Sequence, residues 1–196
     1  MNYEERVLDY LKKNKVITTK NLTELKIPKV ILTRLLTKKK IEKVKRGVYI
    51  DPASLGDEYY TLIYGNKNAI YSYFTALYFL NLCERVPMIY DITVPRYYGG
   101  YLQKNDKVKL HYVDEAIINL GRIKIKSPQG QEVECYDVER CLCDLIKDKD
   151  SLYFEYVKYA FVEYYRNQKH DTFKLYQYAK KMNLQKEVHE FMEALL

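Results

Sequence analysis

Thr33, Arg34 and Thr37 stand within one short segment, with Lys29 before them and Lys38, Lys39 and Lys40 behind. These residue types read nucleic acid. Arginine pairs with guanine through two hydrogen bonds. Threonine bonds either base type and can set its methyl against a thymine methyl. Lysines meet phosphates, which position a protein without reading sequence. With Ile31, Leu32 and Leu35 inward, a helix here turns Lys29, Val30, Thr33, Arg34 and Thr37 outward. Lys20, Lys38, Lys39 and Lys40 are the phosphate candidates. Lys45 and Arg46 follow before Gly47, at the expected tip of a two-stranded ribbon. A cationic tip suits a narrow, A·T-rich minor groove. The first fifty residues hold 14 Lys+Arg against 5 Asp+Glu, a net of +9. The remaining 146 hold 19 against 21, a net of −2, and the two sum to the chain's +7. Such asymmetry points to a polyanionic partner for the basic part.

Other chemistries find little support. His111, His170 and His189 have no Cys or carboxylate at a spacing that makes a strong site, and GxxxxGK[ST], GxGxxG and HExxH are absent. Gly99-Gly100 reads as a loop. Cys141 and Cys143 are two apart on an expected helix and point about 160° apart, whereas structural zinc sites favour C-x(2–4)-C pairs. No metal and no cofactor are therefore expected. Arg140 and Asp144 stand at i, i+4 on that helix and can pair. Two readings stay open for them: an ion pair that ties the helix to a sheet, or a surface with a functional role.

The elements that position these residues follow from hydrophobic spacing. Helices are expected at Tyr3–Lys13, at Lys20–Leu25 behind a Thr18 or Thr19 cap, and from Pro28 to about Lys38. Asn14–Ile17 reads as a break. Ile41–Val44 and Val48–Ile50 read as strands joined through Gly47, which is free to take positive φ. Asp51–Asp57, with Pro52, Ser54 and Gly56, reads as a connector. Beyond it come a helix at Glu58–Tyr64, a β-rich run at Ala69–Tyr73 and a helix at Phe74–Leu82. Strands are expected at Ile89–Val94, Val108–Val113, Arg122–Ile125 and Glu132–Tyr136. Helices follow at Val138–Ile146, Leu152–Tyr165 (with Tyr153 on its apolar side), Phe173–Lys181 and Leu184–Leu195. The expected fold is α+β: an N-terminal winged helix-turn-helix over residues 1–52, then a mixed α/β domain over 53–196 with a helical C-terminus.

Composition sets the class. Hydrophobic residues make up 47 % and charged residues 30 %, enough for a packed core. The 22 tyrosines read mainly as core and core-edge material. No apolar run reaches the ~18 residues of a membrane span, and the N-terminus lacks a signal-peptide core. A cytoplasmic protein with reduced thiols is expected.

Lys40 through Tyr49 (KIEKVKRGVY) resembles the wing of AbiEi-type antitoxins, from bicistronic abortive-infection toxin–antitoxin systems. Three further stretches resemble that family in the same order. Ala69–Leu77 is similar to the strand-to-helix segment opening its C-terminal domain. Glu84–Pro87 through Thr93–Arg96 is similar to the next strand, and Tyr136–Ile146 to its ER-x-x-x-D helix. Lys39 stands where such folds often have Gly, and Tyr73 where His is expected. The resemblance implies an autorepressor that binds operator repeats in double-stranded DNA upstream of its own operon. It also implies an antitoxin that counters an AbiEii-type nucleotidyltransferase toxin, generally without a stable complex. On that reading Arg140 and Asp144 belong to an antitoxin surface, and the chain is not an enzyme. The alternative is a plain winged-helix regulator whose second domain senses a ligand or dimerises.

Overall fold

The computed structural model describes residues 2–54, 56–152, 154–166 and 171–194. The chain is α+β and packs as two units. One runs through Gly65 and takes in Lys126–Glu132; the other holds Asn66–Ile125 and the chain from Val133 onward. Tyr153, His170 and Leu195 lie outside the described residues.

In the first unit α1 (Tyr3–Asn14) starts with a reciprocal cap. The Asn2 side chain accepts from the Glu5 N–H, and the Glu5 carboxylate accepts from the Asn2 N–H. The expected break after it holds a short strand, β1 (Val16–Thr18), because Val16, Ile17 and Thr18 pair with Ile50, Tyr49 and Val48. Three residues are too few for sequence alternation to show. Thr18 then caps α2 (Thr19–Glu24). This helix ends at Lys26 (φ 54°), with Ile27 N–H donating to Leu22 O and both side chains buried. α3 (Val30–Thr37) buries Ile31, Leu32 and Leu35 against Val7, Leu11 and Leu22. β2 (Glu42–Lys45) and β3 (Val48–Ile50) turn at Gly47 (φ 80°) and complete a three-stranded antiparallel sheet in the order β1-β3-β2.

Residues 53–65 pack with this unit rather than beyond it, so the expected division at 52/53 and the division by packing differ. Asp57 is the reason. It caps α4 (Glu58–Ile63) by accepting from Tyr60 N–H, 2.9 Å. Its other oxygen accepts from the Ser127 hydroxyl and from Gln131 N–H, 3.0 Å. Gln131 Nε2 in turn donates to Asn14 O, 2.6 Å. The bonds to Ser127 and Gln131 and from Gln131 to Asn14 cross seventy or more positions of sequence and leave no local pattern.

The second unit is built on a mixed sheet in the order β6-β5-β4-β8-β7. Its strands are β4 (Ile70–Tyr71), β5 (Tyr90–Pro95), β6 (Val108–Val113), β7 (Arg122–Lys126) and β8 (Glu132–Tyr136). β5 runs parallel to β6 and antiparallel to β4, and β4 runs parallel to β8. α5 (Tyr73–Phe79) follows β4, and the short α6 (Glu115–Ile118) precedes β7. α7 (Val138–Lys147) packs against α5 and against the terminal helices α8 (Phe154–Arg166), α9 (Thr172–Lys181) and α10 (Gln185–Glu193). Among the described residues no helix is long and apolar enough to cross a membrane.

Candidate nucleic-acid interface

α3 divides as its spacing requires. Ile31, Leu32 and Leu35 go to the core, and Val30, Thr33, Arg34 and Thr37 face solvent. Lys29 is the exposed N-cap residue, with no side-chain bond to the helix. Arg34 forms no ion pair with a described residue, so its guanidinium is available to an external acceptor. Thr37 is committed differently from the sequence expectation: its hydroxyl donates to Thr33 O, 3.0 Å, one turn back.

The lysines separate into engaged and available. Lys38 Nζ lies 2.7 and 2.9 Å from the two carboxylate oxygens of Glu4, fixing the end of α3 to the start of α1. Lys20 pairs with Glu24 at 3.8 Å in an exposed i, i+4 contact, which a phosphate can displace at little cost. Lys39, Lys40, Lys43 and Arg46 are exposed. Lys45 does not project from the ribbon. Its ammonium donates to Leu62 O, 3.3 Å, and lies 5.8 Å from the centre of the Tyr64 ring. Burial lowers Lys45 to about 8. Of the two tip cations, only Arg46 is fully offered to solvent.

That lowered value fixes a pH dependence. An unfolded lysine keeps its proton to 10.5, whereas the folded one releases it near 8. Between these values the unfolded chain binds more protons, so this group raises stability as pH rises from 8 towards 9.5. Urea midpoints across that window should climb less for Lys45→Met than for the parent chain.

Lys39 adopts φ 52° just past α3, where its N–H donates to Leu36 O and Lys40 N–H donates to Leu35 O. Glycine is the usual residue at this helix stop. A left-handed non-glycine residue costs about 1–2 kcal/mol, and glycine's greater unfolded freedom returns part of that. Lys39→Gly is expected to stabilise the protein by about 0.5–1 kcal/mol while weakening binding to duplexes of any sequence. Chemical denaturation and a duplex titration of the same variant check both halves.

In the second unit the structure corrects one expectation. Arg140 and Asp144 are 0 % and 1 % exposed, so they form no surface. Arg140 Nε lies 3.1 Å from both Asp144 oxygens, and Nη1 donates to Ile117 O (2.6 Å) and Leu120 O (3.1 Å). The guanidinium sits 4.3 Å from the centre of the Tyr136 ring. A Cβ at Gly121 (φ 74°) would fall 2.6 Å from Arg140 Cβ, so only glycine lets that corner close around the arginine. Asp137 caps α7 through Arg140 N–H and accepts from Lys174 and Tyr178. The pair locks α7 to the corner before β7, which is the structural one of its two readings.

The sequence reading passed over a buried polar cluster at the head of α5. Tyr73 takes φ 47°, an outlier for a bulky side chain. Its ring stacks on His111 at 3.7 Å, and its hydroxyl donates to Asp148. His111 Nε2 lies 2.8 Å from Asp91 Oδ1. Ser72 Oγ and Thr93 Oγ1 are buried nearby in the chain and across the strand pair, with no hydrogen-bond partner among the described residues. The available signal was Asp91 and Thr93 alternating within YDITVP, an otherwise apolar strand. Burial also pushes the Cys135, Cys141 and Cys143 thiols up, the last to about 12, which leaves these three poor nucleophiles.

No known protein family matches the chain, and no curated protein sequence resembles it significantly.

Proposed function

We propose that the first unit is a winged helix-turn-helix that binds double-stranded DNA, with α3 in the major groove and the β2–β3 turn beside it. The observation that carries this reading is the composition of the exposed face of α3. Val30, Thr33, Arg34 and Thr37 lie outward among exposed cations, with Lys29 before them and Lys39 and Lys40 after, in a segment whose net charge is +9. The order α1-β1-α2-α3-β2-β3, closed by a three-stranded sheet, supports it. From the resemblance to AbiEi-type antitoxins we propose further that the chain represses its own operon and counters a nucleotidyltransferase-type toxin, acting by binding rather than catalysis.

Arg34→Ala is expected to lose about 1–3 kcal/mol on a preferred duplex and little on random duplex. Fluorescence anisotropy on both probes reads the difference, and equal losses would remove Arg34 as a base reader. Antitoxicity is tested by growth. The open reading frame beside this gene is expressed alone, with the full chain, and with an Arg34→Ala/Arg46→Ala chain. Arrest relieved by both chains places protection apart from DNA binding. Arrest relieved only by the parent chain places it in repression. A harmless neighbour contradicts the antitoxin reading and favours a plain regulator.

A further inference from the structure

We infer that α3 recognises thymine methyl groups in the major groove, so that its target is defined by thymines about three base pairs apart. This rests on the reading of the first unit as a DNA-binding domain and names what that domain would select. Val30 is 52 % exposed on a helix that otherwise sends its aliphatic side chains to the core or its edge. Ile31, Leu32 and Leu35 supply the core contacts of this helix, and Val30 is not among the hydrophobic residues packed against that core.

Thr37 lies seven residues later, almost in line with Val30, about 20° away around the helix. Its hydroxyl proton is committed to Thr33 O, so the side chain has no donor to offer outward and presents its methyl beside an acceptor oxygen. Val30 and Thr37 therefore form two apolar points on one stripe, about 10 Å apart along the axis. That is the length of about three base-pair steps at 3.4 Å each. Thymine is the only base that offers a methyl in the major groove, and apolar side chains meet it there.

Lys29 and Arg34 flank the stripe, and Lys39 and Lys40 follow it. Their charge suits a polyanion, and so selects DNA over an apolar peptide as the occupant. Arg34 sits between the two methyl points in sequence, facing the base pairs between the thymines.

The test uses the full chain and base analogues. A preferred duplex is first selected from a random library, then remade with uracil in place of single thymines. Uracil keeps every hydrogen-bonding group and lacks only the methyl. Affinity is expected to fall about fourfold for each of two thymines, the value of one methylene kept in water, and to be unchanged at the others. Thr37→Ser keeps the bond to Thr33 O and deletes only the methyl. Thr37→Ser and Val30→Ala, both at exposed sites, are each expected to erase the uracil effect at one position. A selected duplex that binds equally with thymine or uracil throughout overturns this inference and leaves DNA binding standing. If no duplex is enriched and none binds, the DNA-binding reading itself falls.

Discussion

Arg140→Ala is expected to destabilise the second unit by about 3–5 kcal/mol, the range for removing one partner of a buried ion pair. The loss has three sources. Asp144 is left without its counter-ion in the core of α7, where only 1 % of its surface meets solvent. Ile117 O and Leu120 O lose their donors at the corner before β7. The Tyr136 ring loses the plane it packs on. That is a large fraction of a domain's total stability, so chemical denaturation should show a sharply lowered midpoint for the second unit. Arg140→Met with Asp144→Leu is expected to recover part of the loss, because no charge is then stranded. Recovery stays partial because the two carbonyls remain without donors. If Arg140→Ala folds normally yet fails to protect cells, the structural account of this pair is wrong.

Asp57→Ala is the next largest, at about 2–4 kcal/mol. Loss of the α4 cap accounts for about 1 kcal/mol, and stranding the buried Ser127 hydroxyl and Gln131 N–H adds about 1–3 kcal/mol. Asp57 is fully buried and holds residues 126–132 in the first unit. Asp57→Asn keeps one acceptor and the cap geometry, and is expected to recover about half. Ser127→Ala removes the bond to Asp57 and the acceptor of the Gln129 and Gly130 N–H groups, 3.1 Å each, and is expected to lose about 1–2 kcal/mol. Urea titrations of the three variants check the order. A Ser127→Ala loss equal to or larger than that of Asp57→Ala would contradict this order.

These predictions separate what the sequence displays from what it hides. Periodicity placed α1, α2, α3 and the β2–β3 ribbon, because each has an apolar stripe or alternation and a cap or glycine at its end. It exposed the outward set on α3 for the same reason. It missed β1, whose three residues are held only by pairing with β3. It could not tell that Lys45 folds back onto Leu62 O, or that Lys38 is spent on Glu4, since both contacts join residues far apart in sequence. The i, i+4 spacing of Arg140 and Asp144 does not by itself show whether the pair is exposed or buried, because four helices and a loop corner decide their burial. The Tyr73–His111 stack was invisible for the same reason: β5–β6 pairing and a strained backbone bring the rings together.

The most direct measurement is a titration of duplex DNA with the full chain at several salt concentrations, alongside Arg34→Ala and Arg46→Ala. The duplexes are the segment upstream of the gene and a random sequence of equal length. The account predicts tighter binding to the upstream segment and affinity that falls steeply with salt. It predicts a salt slope smaller by about 0.9 for Arg46→Ala, and lost discrimination for Arg34→Ala. Absence of binding to either duplex at low salt, or binding that neither substitution alters, would contradict it.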